Sequence, residues 1–177
     1  MSTTQFLFSG FGGQGILFAG KFMVYKGMME GRQVSWLPSY GPEMRGGTAS
    51  CSVIVGDEPV GSPIVTHPDV LVAMNLPSFD RYEPAVVPGG MVFLDSTLIG
   101  RAPARSDVTV YAVPATQMAS DNGIPTLANM IIVGKILRVL GQDGKADVEA
   151  ALKKVISAKH ADMLDANLRA LQLGANA

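Results

Sequence analysis

The chain has 177 residues, 16% of them charged and 47% apolar, with a formal net charge of −1. Length of this order makes one domain with a proper core, and a charge fraction below the roughly 25% usual for soluble domains points to a surface shared with other subunits. Near-neutral charge carries no electrostatic footprint for nucleic acid, and one cysteine, Cys51, excludes an internal disulfide, a self-contained iron–sulfur cluster or a Cys-based zinc site.

The N-terminus has neither a charged region followed by an apolar one nor an 18-residue apolar span, which reads as a cytoplasmic chain with no membrane contact. Phe6-Leu7-Phe8 reads as a buried strand. Gly10-Phe11-Gly12-Gly13-Gln14-Gly15 follows, and then a helix from Ile16 to Met29 that is apolar nearly all round and stops at Gly31. Gln33 to Leu37 reads as the next strand, so the chain opens as strand, glycine turn, helix, strand. Pro38 to Gly47 carries too many prolines and glycines for a regular element. Strands are expected at Thr48–Val55, Val70–Met74, Met91–Leu94 and Val108–Val113, with a helix at Leu76–Tyr82. Three helices close the chain. They are Thr126–Leu140, with Pro125 in its first turn and Gly141 past its end, then Ala146–Ala158 and Asp162–Leu173. The pattern predicts a single α/β domain over 1–177, a Rossmann-like sheet covered by helices with a helical C-terminal segment. The apolar helices Ile16–Met29 and Thr126–Leu140 are expected to present apolar patches to partners.

Gly10, Gly12 and Gly15 fit a G-x-G-x-x-G spacing between strand and helix, where glycine lets the backbone approach a ligand and the helix N-terminus offers N–H groups to an anion. A nicotinamide site also needs a carboxylate ending the second strand, and Ser35-Trp36-Leu37 has none. Three readings stay open at this point: dinucleotide binding, glycines needed only for packing, and a loop lining a site shared with another subunit. In the second loop Tyr40, Glu43 and Arg45 are the polar groups. Arg45 precedes Gly46-Gly47 and is unobstructed, so it either offers a fork to phosphate or carboxylate or pairs with an acid such as Glu43. Cys51 reads as a small core thiol, Asp95-Ser96-Thr97 as a turn, a cap or a ligand site, and Asn129 as a buried amide needing a partner.

Taken together, GFGGQG (Gly10–Gly15), YGPEMRGGTA (Tyr40–Ala49), DVLVAM (Asp69–Met74), Pro88-Gly89-Gly90 before Met91–Ser96, and Ala128-Asn129-Met130 resemble the gamma subunit of the 2-oxoacid:ferredoxin oxidoreductases, in order along nearly the whole chain. The resemblance implies oxidative decarboxylation of a 2-oxoacid to an acyl-coenzyme A with electrons passed to ferredoxin. It implies thiamine diphosphate, Mg and Fe–S clusters on alpha, beta and delta-type partner subunits, and none held by this chain. Coenzyme A is the co-substrate that the gamma subunit helps to enclose. The YGPEMRGGTA wording is most like the 2-oxoglutarate branch (2-oxoglutarate synthase), with the branched-chain 2-oxoacid and pyruvate branches as alternatives. A stand-alone nucleotide-binding module is the alternative of another class. Carried over by position, the cofactor-facing residues are Gly12, Gly13, Gln14, Gly15, Tyr40, Gly41, Glu43, Arg45, Gly46 and Gly47. No residue here is assigned a catalytic or metal-binding role.

Overall fold

The computed structural model describes residues 2–40 and 47–177. Six strands form one sheet in the order β2-β3-β1-β4-β5-β6. They are β1 (Thr4–Phe11), β2 (Gln33–Tyr40), β3 (Thr48–Gly56), β4 (Val70–Ala73), β5 (Met91–Asp95) and β6 (Thr109–Val113). Strands β1, β4, β5 and β6 run parallel, and β3 is antiparallel to both of its neighbours. Helices are α1 (Ile16–Met29), α2 (Leu76–Tyr82), α3 (Ala115–Asp121), α4 (Ala128–Val139), α5 (Lys145–Val155) and α6 (Leu164–Ala175).

Side chains alternate across each strand, so the sheet sorts its apolar residues onto two faces. Phe6, Phe8, Cys51, Val53, Val72 and Phe93 enter the larger core with α1 and α4–α6. Leu7, Ile54, Leu71, Val92 and Leu94 enter a smaller core with Phe79 of α2 and with Val86 and Ile99. Burial on both faces explains the near-continuous apolar strand runs, and the α/β architecture is the one predicted.

Three details differ from expectation. The opening strands β1 and β2 are not neighbours, because β3 folds back and inserts between them. Strand β2 runs on through Pro38, opposite Cys51, to Tyr40. Proline is tolerated there because β2 is an edge strand, whose outward N–H groups have no ladder to serve. Pro125 lies ahead of α4, which begins at Ala128.

Helix α1 packs on β3 and β2 with one face and on α5 with another. Its Gly20 lies against Cys51, where an added Cβ would come within 2.4 Å of Sγ. Helix α4 does not present an apolar face outward. Ala128 to Gly134, Ile136 and Leu137 are all buried within the chain, mainly against α3 and α6. Its all-round apolar character comes from standing between the sheet and α6.

Burial pushes the Cys51 thiol up to about 12, and its Sγ lies 3.7 Å from the Ile16 carbonyl. The thiolate is the reactive form. A thiol reagent at pH 8 should therefore leave the native chain unlabelled and modify it once unfolded; rapid labelling of native protein would contradict this placement. Because the folded value lies above the unfolded one, Cys51 should also withdraw stability as pH rises from about 9 towards 12.

Candidate functional site

The glycine loop leaves β1 at Gly10-Phe11 and turns into α1. Gly13 and Gly15 have φ of +90° and +73°, backbone that a side chain rarely adopts. Gly15 is the N-cap of α1, which has no capping side chain, and the first-turn residues Ile16, Leu17 and Phe18 line a cleft of about 420 Å³. The positive end of the α1 dipole is thus turned to the cleft.

Tyr40 and Gly47, at the two ends of the second loop, meet the first loop across this cleft. The N–H of Gly12 donates to the Gly47 carbonyl at 3.1 Å. Gly12, Gly13, Gly15, Tyr40 and Gly47 all line the cleft, so five of the ten expected contact residues are brought together. Gly41, Glu43, Arg45 and Gly46 lie outside the described residues. Gln14 is not among the lining residues. Its Oε1 accepts from the Phe11 N–H at 2.6 Å, and its Nε2 donates to the Met74 carbonyl at 2.9 Å. One end of the amide holds the last residue of β1 and the other the residue after β4, so the side chain ties the loop between the two strands.

The polar side chains among the described lining residues are those of Tyr40, which is 65% exposed, and Thr48. The described lining carries no carboxylate, imidazole, amine or thiol. Strand β2 contains no carboxylate to hold a ribose, which counts against the nicotinamide reading.

Two further candidates are engaged elsewhere. Asp95 is buried at the end of β5 and accepts from Thr97 and Thr116, so it caps α3. Asn129, in the first turn of α4, donates through Nδ2 to the Gly15 carbonyl at 3.0 Å. A lone amide in an apolar helix was the signal that a buried partner existed; its identity, 114 residues away, carries no mark in the sequence. Among the described residues no group of three or more His, Cys, Asp or Glu side chains is placed to hold a metal ion. No helix among them is long and apolar enough to cross a membrane.

The sequence profile of the family described as pyruvate ferredoxin/flavodoxin oxidoreductase matches residues 5–177. A ketoisovalerate oxidoreductase subunit VorA from Methanothermobacter thermautotrophicus is 41% identical over 94% of the chain, which spans only 35% of that relative. A 2-oxoglutarate synthase subunit KorC from Methanocaldococcus jannaschii is 35% identical, over 81% of this chain and 79% of the relative. Among solved structures, the gamma subunit of a keto/oxoacid ferredoxin oxidoreductase from Geobacter sulfurreducens superposes with a TM-score of 0.81 at 27% identity, covering 98% of this chain and 96% of that one.

Proposed function

We propose, because the chain belongs to the pyruvate ferredoxin/flavodoxin oxidoreductase family, that it is the gamma subunit of a 2-oxoacid:ferredoxin oxidoreductase. In this reading alpha, beta and delta-type partners hold thiamine diphosphate, Mg and the Fe–S clusters, and ferredoxin takes the electrons from the complex. The observation that carries it is the cleft where the two glycine loops meet. Its bare backbone and the N-terminus of α1 suit a phosphate-bearing co-substrate, coenzyme A, and its described lining brings no acid–base pair. Chemistry on the 2-oxoacid then belongs to the thiamine of a partner, and this chain binds and orients.

Of the branches, the YGPEMRGGTA segment favours 2-oxoglutarate, giving succinyl-coenzyme A. A second reading, a branched-chain 2-oxoacid, is supported by the 41% identity to VorA. Purifying the complex that contains this chain and assaying a panel of 2-oxoacids with coenzyme A and ferredoxin separates the two. Preference for 2-oxoglutarate supports the first and preference for 2-oxoisovalerate the second. A chain that purifies alone and binds nucleotide without larger subunits overturns both.

Arg45 is the side chain in the second loop best shaped for phosphate. A charge-assisted hydrogen bond contributes roughly 1.5–3 kcal/mol, so Arg45→Ala should raise the KM for coenzyme A about tenfold or more. If Arg45 instead meets an acid of a neighbouring subunit, gel filtration should show the complex dissociating while KM stays put. Wild-type behaviour in both assays removes Arg45 from the site.

A further inference from the structure

We infer that Asn129 is a positioning residue for the cleft, acting through Gly15 to fix the turn that presents the glycine loop to its ligand. The inference rests on the cleft being the binding site proposed above.

The side chain of Asn129 is only 4% exposed, and its Nδ2 donates to the Gly15 carbonyl at 3.0 Å. That carbonyl does not need the bond to be satisfied, because the Ala19 N–H already reaches it at 3.0 Å as the first rung of α1. What the amide adds is location. An added Cβ on Gly15 would come within 2.3 Å of Asn129 Nδ2, so the two residues share one tight contact and the left-handed turn cannot shift towards α4. The bond therefore ties the C-terminal helical layer to the N-cap of α1, whose neighbours Gly12 and Gly13 line the cleft. Gln14 holds the same loop to β4. The loop is anchored on both sides by amides that point away from the cleft.

The other half of the Asn129 amide gains nothing from the core. Its Oδ1 is buried with no hydrogen-bond partner among the described residues. Burying an unpaired acceptor is unfavourable, and a leucine of similar size would avoid it. What sets the Asn129 bond apart is its target, the N-cap of the helix that leads out of the cleft-lining loop.

Asn167 supplies a matched control. It too is a buried asparagine, with Nδ2 bound to a carbonyl, that of Met163, and Oδ1 unpartnered; neither asparagine lines the cleft, but Asn129 bonds to a residue that does and Asn167 to one that does not. In the reconstituted complex, Asn129→Leu should raise the KM for coenzyme A about tenfold while kcat stays within about twofold. Asn167→Leu should leave both unchanged. Melting of each variant chain reports what is merely structural. Should Asn129→Leu fail to assemble, Asn129→Ser, smaller and still polar, repeats the test and should also raise KM. Wild-type KM in the Asn129 variants alongside a raised KM in Arg45→Ala overturns the inference and leaves the proposed function standing. An equal rise in the Asn167 variant reduces the effect to lost stability and overturns it as well. No response to coenzyme A in any form of the complex, wild type included, removes the reading beneath it.

Discussion

Gly174→Ala is expected to lower the melting temperature of the chain by about 6–12 °C. Helices α4 and α6 cross so closely that a Cβ on Gly174 would lie 1.7 Å from the Ile131 carbonyl oxygen, and one on Gly134 2.0 Å from that of Leu171. Both obstacles are backbone, so no side-chain rotation relieves them and the helices must separate. Overpacking of a core costs about 1–3 kcal/mol, and a clash with backbone on this scale belongs at or above the top of that range. In a domain of this size each 1 kcal/mol moves the melting temperature by about 2–4 °C. Glycine inside a helix is otherwise unfavourable relative to alanine by about 0.5–1 kcal/mol, so its presence on both sides of one crossing reflects close approach. Gly134→Ala should cost as much, and the double variant should cost less than the sum, since one separation relieves both clashes. Gly61→Ala is the comparison: its Cβ meets open space, and its melting temperature should not fall. Wild-type melting for Gly174→Ala would mean the helices are not in contact there.

That crossing joins segments about forty residues apart, and it marks where sequence patterns stop being informative. The last two helices are legible from the local spacing of their apolar residues, and α1 and α4 from long apolar runs closed by Gly31 and Gly141. Periodicity misses α3, seven residues of which only Ala115 and Ala119 are buried, too few to show a period. A strand–helix–strand opening usually makes neighbours of its two strands; the insertion of β3 between β1 and β2 depends on a hairpin return that no local pattern specifies. The apolar α4 reads as partly exposed, since a helix covered by its own chain and one covered by a partner look alike in composition. The neighbourhood of the two loops is more legible: Gly12, Gly13 and Gly15 mark backbone approach, and Tyr40 and Gly47 of the second motif line the same cleft. The two amides that fix the loop were harder to read. Gln14 enters the candidate site through the GGQG resemblance, and that motif carries no sign that its side chain bonds to backbone groups at the ends of β1 and β4.

Asp95→Ala should also cost several degrees, for a different reason. Helix α3 has Pro114 as its N-cap, which offers no capping side chain. Its first N–H groups are met from the end of β5 instead. Asp95 accepts from the Thr116 N–H at 3.2 Å and from Thr116 Oγ1 at 2.5 Å, while Thr97 Oγ1 accepts from the Gln117 N–H at 3.1 Å. Asp95 also accepts from the Thr97 N–H at 3.1 Å, so one buried carboxylate organises both the turn and the cap. Removing it leaves several part-buried donors without that acceptor. Charge-assisted bonds and caps of this kind contribute about 1–3 kcal/mol each but are not additive, which places the loss at roughly 3 kcal/mol, or about 6–12 °C. Asp95→Asn keeps one acceptor oxygen and should lose about half as much. In a cycle with Thr116→Val, the double variant should cost less than the two single changes together, because the bond between them is lost only once. The carboxylate also stands at the C-terminal end of a parallel strand, where ligands of α/β proteins gather. A ligand role would give the opposite pattern in the complex: Asp95→Asn melting like wild type but with altered substrate or coenzyme A kinetics. That result would return Asp95 to the binding site and remove it from the cap.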